Sequence, residues 1–430
     1  MKGNMMDWGL TIPKLINFAE ENFFDNTFVS RSADGSLKSY KYGHSLQNSR
    51  KIAGFLKNKI GINLTDRVAT IAWNDSYHLE TYFAAIGMGA VLHTINPRLF
   101  PEQLIYIINH AEDKVVFIDP LFLPLIEGVY SKLDHKIPII VLTEEEISSE
   151  VIDNIYSYKD VLASEEIIES WVEIDEDAAA SLCYTSGTTG NPKGVLYSHK
   201  STILHTWAAS GAIGVNSMSM VLPVVPMFHV NAWGTPYIAL MTGIKLLLPG
   251  PALDGASLYE LIDTEKPDIL MGVPTVWLGL LNYLSENDLT LSSVNQVMVG
   301  GSAAPYAMIK EFDEKHDVFL THGWGMTEMS PLGTMMQPTR RLLEMKKDDR
   351  YNMQTRQGFP LFGVDIKTVD EENNTLPRDG VANGALKVRG PWIMESYFKT
   401  DSKSSDKQGW FDTGDVATIF PDGSMQIVDR

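Results

Sequence analysis

In the first third of the chain, segments with apolar residues at helical spacing alternate with short apolar runs. Residues 10–24 place apolar side chains at helical spacing, and residues 45–60 and 78–88 do the same. Short apolar runs between these segments predict strands, at 28–30, 37–40, 67–73, 92–97, 115–118 and 137–142. Strands that alternate with helices predict parallel sheets with helices packed on their faces.

The middle of the chain continues this alternation after an interruption. Residues 144–177 are acidic and lack a clear period, which predicts a solvated connection. A helix is expected over 201–212, and residues 340–356, which are strongly charged, are expected to form an exposed helix and linker. The predicted strands of this part are 178–184, 220–225, 245–248, 269–271 and 296–299.

The pattern changes again after about residue 358, where alternation at period two begins. Residues 364–369 and 385–389 alternate in this way, and 373–374 and 421–423 have turn composition. The sequence therefore predicts an α/β fold with two divisions. Two packed α/β lobes would occupy 1–357, and a smaller antiparallel β lobe would occupy 358–430.

Composition narrows the classes of function. The chain has 430 residues, with 35 basic and 54 acidic side chains and a formal net charge of -19, which argues against nucleic acid as a partner. Cys183 is the only cysteine, so no disulfide within the chain is possible. No apolar run reaches the roughly 18 residues of a membrane span, and the N-terminus lacks a signal-peptide pattern. We expect a cytoplasmic protein.

A glycine- and hydroxyl-rich stretch, YTSGTTGNPKGV at 184–195, follows the predicted strand at 178–184. Glycines let backbone N–H groups converge on one concavity, while hydroxyls and Lys193 add donors and a positive charge. This combination suits a polyphosphate. It differs from the P-loop pattern, because Gly194 follows the lysine where that pattern has Ser or Thr.

Four later segments also carry chemistry: PMFHVNAWG (226–234), GGSAAP (300–305), HGWGMTE (322–328) and GWFDTGD (409–415). The third offers a flat indole and a carboxylate that could hold a purine and Mg²⁺. The fourth ends in Asp415, which could accept two ribose hydrogen bonds. The turn at 300–305 lacks the last glycine of a serine-hydrolase elbow, and no partner His and acid can be nominated for one.

These five segments, in this order, resemble the adenylate-forming superfamily of acyl-CoA synthetases, peptide-synthetase adenylation domains and luciferases. The resemblance covers essentially the whole chain. The segments PMFHVNAWG and GVPTVWL are most similar to those of bacterial medium- and long-chain fatty acyl-CoA synthetases. Ala385 departs from the family pattern, which has glutamate there.

The resemblance implies roles for individual residues. Thr185, Lys193, His229 and Glu328 are expected to act in catalysis, with Thr185 and Glu328 holding Mg²⁺. The residues expected to bind ATP or AMP are Thr185, Ser186, Gly187, Thr188, Thr189, Gly190, Lys193, Gly301, Ser302, Ala303, His322, Gly323, Trp324, Gly325, Met326, Thr327, Asp415 and Arg430. Those expected to line the acyl site are His229, Val230, Trp233, Val299, Gly301, Met326, Pro331 and Leu332. Trp233 is expected to act as a gate.

The implied reaction joins a fatty acid to AMP and then transfers the acyl group to coenzyme A. Three alternatives stay open: a shorter or functionalised carboxylate, delivery to a carrier protein, and a module that binds ATP or acyl-adenylate without turnover. The resemblance also leaves open peripheral membrane contact during substrate uptake and a homodimer. Family members continue beyond the position of Arg430 into a mobile C-terminal domain, so residues 1–430 alone are expected to be weakly active.

Overall fold

The computed structural model describes residues 1, 3–32, 34–185 and 190–429. Its helices are α1 Ile12–Asn22, α2 Tyr42–Phe55, α3 Ser76–Gly87, α4 Pro101–Ala111, α5 Leu123–Tyr130, α6 Tyr158–Ala163, α7 His199–Ile213, α8 Val230–Trp233, α9 Thr235–Thr242, α10 Gly255–Glu265, α11 Pro274–Glu286, α12 Tyr306–His316, α13 Arg340–Leu343 and α14 Lys347–Gln354. Shorter helical turns lie at Leu56–Ile60, Pro120–Phe122 and Thr327–Met329.

The strands are β1 Thr27–Arg31, β2 Leu37–Lys41, β3 Arg67–Ile71, β4 Val91–Thr94, β5 Asp113–Ile118, β6 Ile139–Val141, β7 Ile155–Ser157, β8 Ala179–Tyr184, β9 Gly194–Ser198, β10 Met220–Pro223, β11 Lys245–Leu248, β12 Ile269–Gly272, β13 Gln296–Val299, β14 Phe319–Gly325, β15 Leu332–Met335, β16 Phe359–Pro360, β17 Asp365–Val369, β18 Asn383–Arg389, β19 Phe411–Ile419 and β20 Met425–Asp429.

Three sheets organise these strands. A seven-stranded sheet has the order β7-β6-β5-β3-β4-β8-β9 and is parallel except for its last pair. A nine-stranded sheet has the order β16-β15-β14-β13-β12-β10-β11-β1-β2, and a four-stranded antiparallel sheet contains β17 to β20. The α/β architecture with a small antiparallel sheet at the end is the fold class that the sequence predicts.

The strands that the sequence predicts as buried form the middle of the two large sheets. β3, β4 and β12 are buried at nearly every position, because helices cover both faces of a parallel sheet. One continuous apolar core includes Val68 of the first sheet, Leu246 of the second and Leu386 of the third. The three sheets are thus packed against one another.

The order of the nine-stranded sheet could not be predicted from the local pattern. The N-terminal strand β1 lies between β2 and β11, with Val29 paired in parallel with Leu247. The start of the chain therefore belongs to the sheet that residues 220–360 build.

Two predicted irregular segments contain regular structure. The acidic stretch 144–177 includes β7, an edge strand parallel to β6, and α6, whose N-cap Ser157 accepts the Asp160 N–H. Within 340–356 there are two helices instead of an exposed helix and linker. Leu342 and Tyr351 of these helices are buried, which corrects the exposed assignment. In both segments a few buried apolar residues lie among many charged ones, so the sequence pattern does not show a clear period.

Among the described residues, no helix combines the length and apolar character needed to cross a membrane.

Candidate active site

A cleft lies at the carboxyl ends of β12, β13 and β14, where open parallel sheets commonly bind ligands. Its empty volume, including its opening to solvent, is about 590 Å³. The residues that line it are Ala209, Ile213, His229, Val230, Trp233, Met271, Met298, Gly300, Gly301, Gly323, Trp324, Gly325, Met326, Thr327, Pro331 and Leu332. Three of the five chemical segments of the sequence therefore meet at one place.

Among the residues that the structure describes, the lining of this cleft carries no aspartate, glutamate, lysine or arginine. His229 is the one titratable residue of the set. Its side chain is accessible from the cleft, but the surrounding protein removes much of its hydration and lowers the pKa of the imidazole. A neutral imidazole can accept or donate a hydrogen bond in a cavity whose other side chains are mainly apolar.

The segment after His229 has an unusual backbone. Val230, Asn231, Ala232 and Trp233 all have positive φ, at 40°, 53°, 48° and 56°. α8 is therefore one left-handed turn, a conformation that costs roughly 1–2 kcal/mol per residue for side chains other than glycine. Such strain persists only where the surroundings fix it, and it is common at functional sites.

Buried hydrogen bonds fix this turn. The Asn231 amide donates to Ser181 Oγ at 3.0 Å, and Asn231 is 3% exposed. The Tyr82 hydroxyl donates to the Met227 carbonyl and lies 3.4 Å from Asn231 Oδ1. Because Ser181 lies on β8, its bond with Asn231 joins the turn to the strand that leads into the 184–195 loop.

The left-handed turn places the Trp233 indole against the turn at Gly300. A Cβ on Gly300 would lie 3.0 Å from Trp233 Cη2 and 3.2 Å from its Cζ2. The absence of a side chain at Gly300 therefore makes room for the indole. Trp233 is half-buried and lines the cleft, which is compatible with the gate that the sequence suggests.

On the other side of the cleft, an indole bonds a carboxylate of the small sheet. Trp324 Nε1–H donates to Asp415 Oδ2 at 3.0 Å. Asp415 is 5% exposed and lies on β19, while Trp324 is the second-last residue of β14 and lines the cleft. The two residues proposed for the adenine and the ribose are therefore in direct contact.

Glu328 follows Thr327 in a short 3-10 turn and is 7% exposed. The Tyr397 hydroxyl donates to its Oε1 at 2.7 Å. Within the described part of the chain, no lysine, arginine or histidine is within ion-pair distance of this carboxylate. Burial of an unpaired carboxylate is unfavourable, and a bound cation would relieve that cost.

The 184–195 loop begins and ends in a β-hairpin at the edge of the seven-stranded sheet. β8 pairs antiparallel with β9, and Thr185 N–H donates to the Lys193 carbonyl at 2.9 Å. Lys193 N–H in turn donates to Thr185 Oγ1 at 3.3 Å. These bonds hold Thr185 and Lys193 side by side at the base of the loop. Ser186, Gly187, Thr188, Thr189 and the terminal Arg430 lie outside the described residues, as do Lys2 and Ala33.

Val299 and His322, both predicted as site residues, are buried away from the cleft surface. Val299 is 1% exposed and packs in the apolar cluster that contains Trp277, whereas its neighbour Met298 lines the cleft. Adjacent residues of a strand point to opposite faces, so the assignment of Val299 to the acyl lining is wrong by one position. His322 is 1% exposed and is also absent from the lining.

The His322 imidazole holds the turn at 300–305 in place. Its Nδ1–H donates to the Thr355 carbonyl at 3.0 Å, and its Nε2 accepts the Ala304 N–H at 3.4 Å. Burial lowers the pKa of His322 to about 4, which keeps the ring neutral and able to accept that bond. Ser302 and Ala303, in the same turn, are exposed.

Several residues of this region were missed by the sequence reasoning. Ala209 and Ile213 lie one turn apart on α7, a spacing that shows a shared helix face but not what the face contacts. Met271 and Met298 are paired in register on the neighbouring parallel strands β12 and β13. Tyr397 has no signal in the local sequence, since its partner Glu328 is 69 residues away.

Comparison with known proteins gives one family. The model of the AMP-binding enzyme family matches residues 18–398. The chain is 46% identical to a medium-chain-fatty-acid–CoA ligase of Ectopseudomonas oleovorans, an alignment that covers 100% of this chain and 79% of that protein. It is 45% identical to a 3-methylmercaptopropionyl-CoA ligase of Ruegeria lacuscaerulensis, over 100% of this chain and 80% of that protein.

Solved structures share the fold. The anthranilate CoA ligase AuaEII in complex with anthranoyl-AMP superimposes with a TM-score of 0.86 at 22% identity, over 100% of this chain and 80% of that one. A long-chain-fatty-acid-CoA ligase from Archaeoglobus fulgidus gives the same TM-score over 99% of this chain and 85% of that one. The architecture is therefore that of adenylate-forming enzymes.

The fold and the sequence together define an enzyme that activates carboxylates through an adenylate. The chain belongs to the AMP-binding enzyme family, and within it to the AMP-forming CoA ligases.

Proposed function

We propose that this protein activates a monocarboxylate with an apolar tail, of the size of a medium-chain fatty acid, to acyl-AMP and then to acyl-CoA. The observation that carries the proposal is the uncharged lining of the cleft between Trp233 and Trp324. An alkyl chain gains free energy by leaving water for such a surface, whereas a second charge on the substrate would find no partner in the lining.

A second candidate is a shorter carboxylate with a thioether tail. Met271, Met298 and Met326 all face the cleft, and methionine side chains adapt to irregular and polarizable ligands. A relative of nearly the same identity is a 3-methylmercaptopropionyl-CoA ligase. Both candidates present one carboxylate and an uncharged tail, so they differ in length and in the sulfur atom.

The nucleotide would lie on the side of the cleft formed by β14 and β19. The proposal gives Trp324 the adenine and Asp415 the ribose, with the turn at 300–305 against the base. The 184–195 loop and Lys193 would bind the phosphates, because backbone N–H groups and an ammonium group neutralise an anion without a covalent step.

The residues present fit a magnesium ion. Glu328 offers a buried carboxylate without a described cationic partner, and Thr185 offers a hydroxyl at the base of the loop. No group of three or more His, Cys, Asp or Glu suited to a metal occurs among the described residues, which fits an ion held mainly by phosphates and water. When bound, Mg²⁺ would neutralise charge on the triphosphate.

The proposed reaction has two steps. A carboxylate oxygen forms a bond to the α-phosphorus of ATP, and the bond from that phosphorus to pyrophosphate breaks. The sulfur of coenzyme A then forms a bond to the acyl carbon, AMP leaves, and the thiol proton is released. The chain's own contribution is to align the carboxylate near His229 with the α-phosphate and to exclude water from the acyl tail.

Binding of acyl-adenylate mimics tests the proposal. Acyl sulfamoyl adenosines from acetyl to palmitoyl, with a 3-methylmercaptopropionyl member, would be titrated into the protein by calorimetry. We expect affinity to rise with chain length to a maximum at medium length. A dicarboxylate mimic of matched length should bind far more weakly. Equal affinity for the dicarboxylate, or no dependence on the acyl chain, would refute the proposed substrate class.

A further inference from the structure

The loop between β18 and β19 contacts both halves of the proposed phosphate and metal site. Residues 394–399, which we call the 394–399 segment, contain none of the residues that the sequence analysis assigned to the site. The segment reaches the turn that carries Glu328 and the end of the 184–195 loop, which are distant from each other in sequence.

At the first of these contacts, the 394–399 segment holds Glu328 twice. Met394 N–H donates to the Glu328 backbone carbonyl at 2.9 Å, and the Tyr397 hydroxyl donates to Glu328 Oε1 at 2.7 Å. One carboxylate oxygen is therefore held in a fixed direction.

At the second contact, the same tyrosine meets Lys193. The Lys193 ammonium lies 4.9 Å from the centroid of the Tyr397 ring, within the range of a cation–π interaction. Phe398 N–H donates to the Gly194 carbonyl at 2.8 Å. A Cβ on Gly194 would lie 3.1 Å from Phe398 Cβ, so the glycine permits this close approach.

The C-terminal end of the 394–399 segment contacts α4 and the residue that follows it. Lys399 Nζ lies 2.5 Å from Glu112 Oε1, just after α4. Both side chains are exposed, so this pair contributes little by itself. The Phe398 ring also packs edge-on against His110, with ring centroids 5.5 Å apart. The segment is thus held on both sides of Tyr397.

From these contacts we infer that Tyr397 is a positioning residue of the adenylation site: its hydroxyl orients Glu328 toward the metal, and its ring positions the Lys193 ammonium toward the phosphates. The inference rests on the proposed function, because it needs Glu328 to meet a cation and Lys193 to meet an anion. The inference gives the hydroxyl and the ring of Tyr397 separate roles.

The two tasks can be separated by substitution. Tyr397→Phe removes the hydroxyl and keeps the ring, whereas Tyr397→Leu removes both. Tyr306→Phe is a matched control, since the Tyr306 hydroxyl also donates to a carboxylate, Asp348, at 2.9 Å, on an exposed surface outside the cleft lining.

The measurement is binding, so it does not depend on turnover. Mn²⁺ would replace Mg²⁺ as a paramagnetic probe, with its binding followed by electron paramagnetic resonance in the presence of a non-reactive ATP analogue that is methylene-bridged between the α- and β-phosphates. The affinity of the same analogue in EDTA would be measured by calorimetry. Thermal melting of each variant would report its stability.

We expect Tyr397→Phe to weaken Mn²⁺ binding about tenfold, the typical effect of losing a hydrogen bond to a charged group, and to leave the metal-free affinity unchanged. Tyr397→Leu should weaken both. Tyr306→Phe should change neither. Unchanged or tighter Mn²⁺ binding in Tyr397→Phe would overturn the inference.

The same substitution in a second protein, Glu328→Gln, distinguishes a positioning role of Tyr397 from a general effect on stability. In a Glu328→Gln protein the hydroxyl has no carboxylate to orient, so adding Tyr397→Phe should cause no further loss of Mn²⁺ affinity. An equal loss in both backgrounds would overturn the inference even if the variants melt at lower temperature. If the unsubstituted protein bound neither the analogue nor Mn²⁺, the proposed function itself would fall, and this inference with it.

Discussion

Replacing Trp324 by phenylalanine isolates the hydrogen bond between the two sides of the nucleotide site. Phenylalanine keeps a flat ring but has no N–H, so the 3.0 Å bond to Asp415 Oδ2 is lost. Hydrogen bonds to charged groups contribute about 1.5–3 kcal/mol. Because Trp324 is half-buried, we take the lower end of that range, which corresponds to about a tenfold change in an equilibrium constant.

We therefore expect the dissociation constant for AMP to rise about tenfold in Trp324→Phe, as measured by calorimetry. The reason is that phenylalanine lacks the indole N–H that orients the Asp415 carboxylate toward the proposed ribose site. The smaller ring also leaves space near Gly333, whose Cβ would lie 2.9 Å from Trp324 Cζ3. A modest fall in melting temperature should accompany the loss of affinity.

Trp410→Phe is the matched control. The Trp410 ring lies 4.5 Å from Lys367 Nζ and 4.5 Å from the Arg389 guanidinium carbon, in the same motif as Asp415 but outside the cleft lining. AMP affinity should be unchanged there. If Trp324→Phe bound AMP as tightly as the unsubstituted protein, the indole bond would have no part in nucleotide binding. If Trp410→Phe lost as much affinity, the effect would not be local.

Three further outcomes follow from the site. Trp233→Ala should broaden or shift acyl-chain preference in the sulfamoyl adenosine series while AMP affinity stays the same; a lower melting temperature without a change in preference would make Trp233 a packing residue. Gly300→Ala should also shift that preference, because its Cβ displaces the indole, and the shift should vanish when Trp233 is already alanine. His322 has a pKa near 4 against an ordinary 6.5, so its stabilisation is complete above pH 6.5 and is lost as pH falls toward 4. In His322→Gln the loss of stability between pH 7 and pH 5, measured by denaturant unfolding, should be smaller by about 2 kcal/mol, and an unchanged loss would contradict the neutral buried ring.

The sequence predicts the central strands well because each is a short apolar run between helices. The segment 300–305 follows a predicted strand, whereas the segment 322–328 includes the end of β14, for which the sequence pattern predicts no strand. Their meeting at one cleft depends on the parallel pairing of β13 with β14. The wrong assignment of Val299 concerns a detail finer than the hydrophobic pattern can show. Val299 and Met298 are both apolar, and only the pleat of β13 decides which one faces the cleft.

Other features depend on contacts between distant parts of the chain. Nothing near Tyr397 in the sequence indicates that it lies between Lys193 and Glu328. The strand β7 is three residues long and has acidic neighbours, so its pairing with β6 outweighs a weak local preference. Local pattern also cannot place β1 next to β11.

That placement of β1 affects how the protein acquires its structure during synthesis. Val29 pairs with Leu247, roughly 220 residues later, so at ribosomal rates of 5–20 residues per second one edge of β1 lacks its partner for about 10–40 s. Its other edge can pair at once with β2 in a hairpin. A contact of this sequence separation raises the contact order and slows folding. A break in the chain between β9 and β10 would leave the β1–β2 hairpin on the first fragment and an open β11 edge on the second. The two fragments would then need each other to complete the nine-stranded sheet.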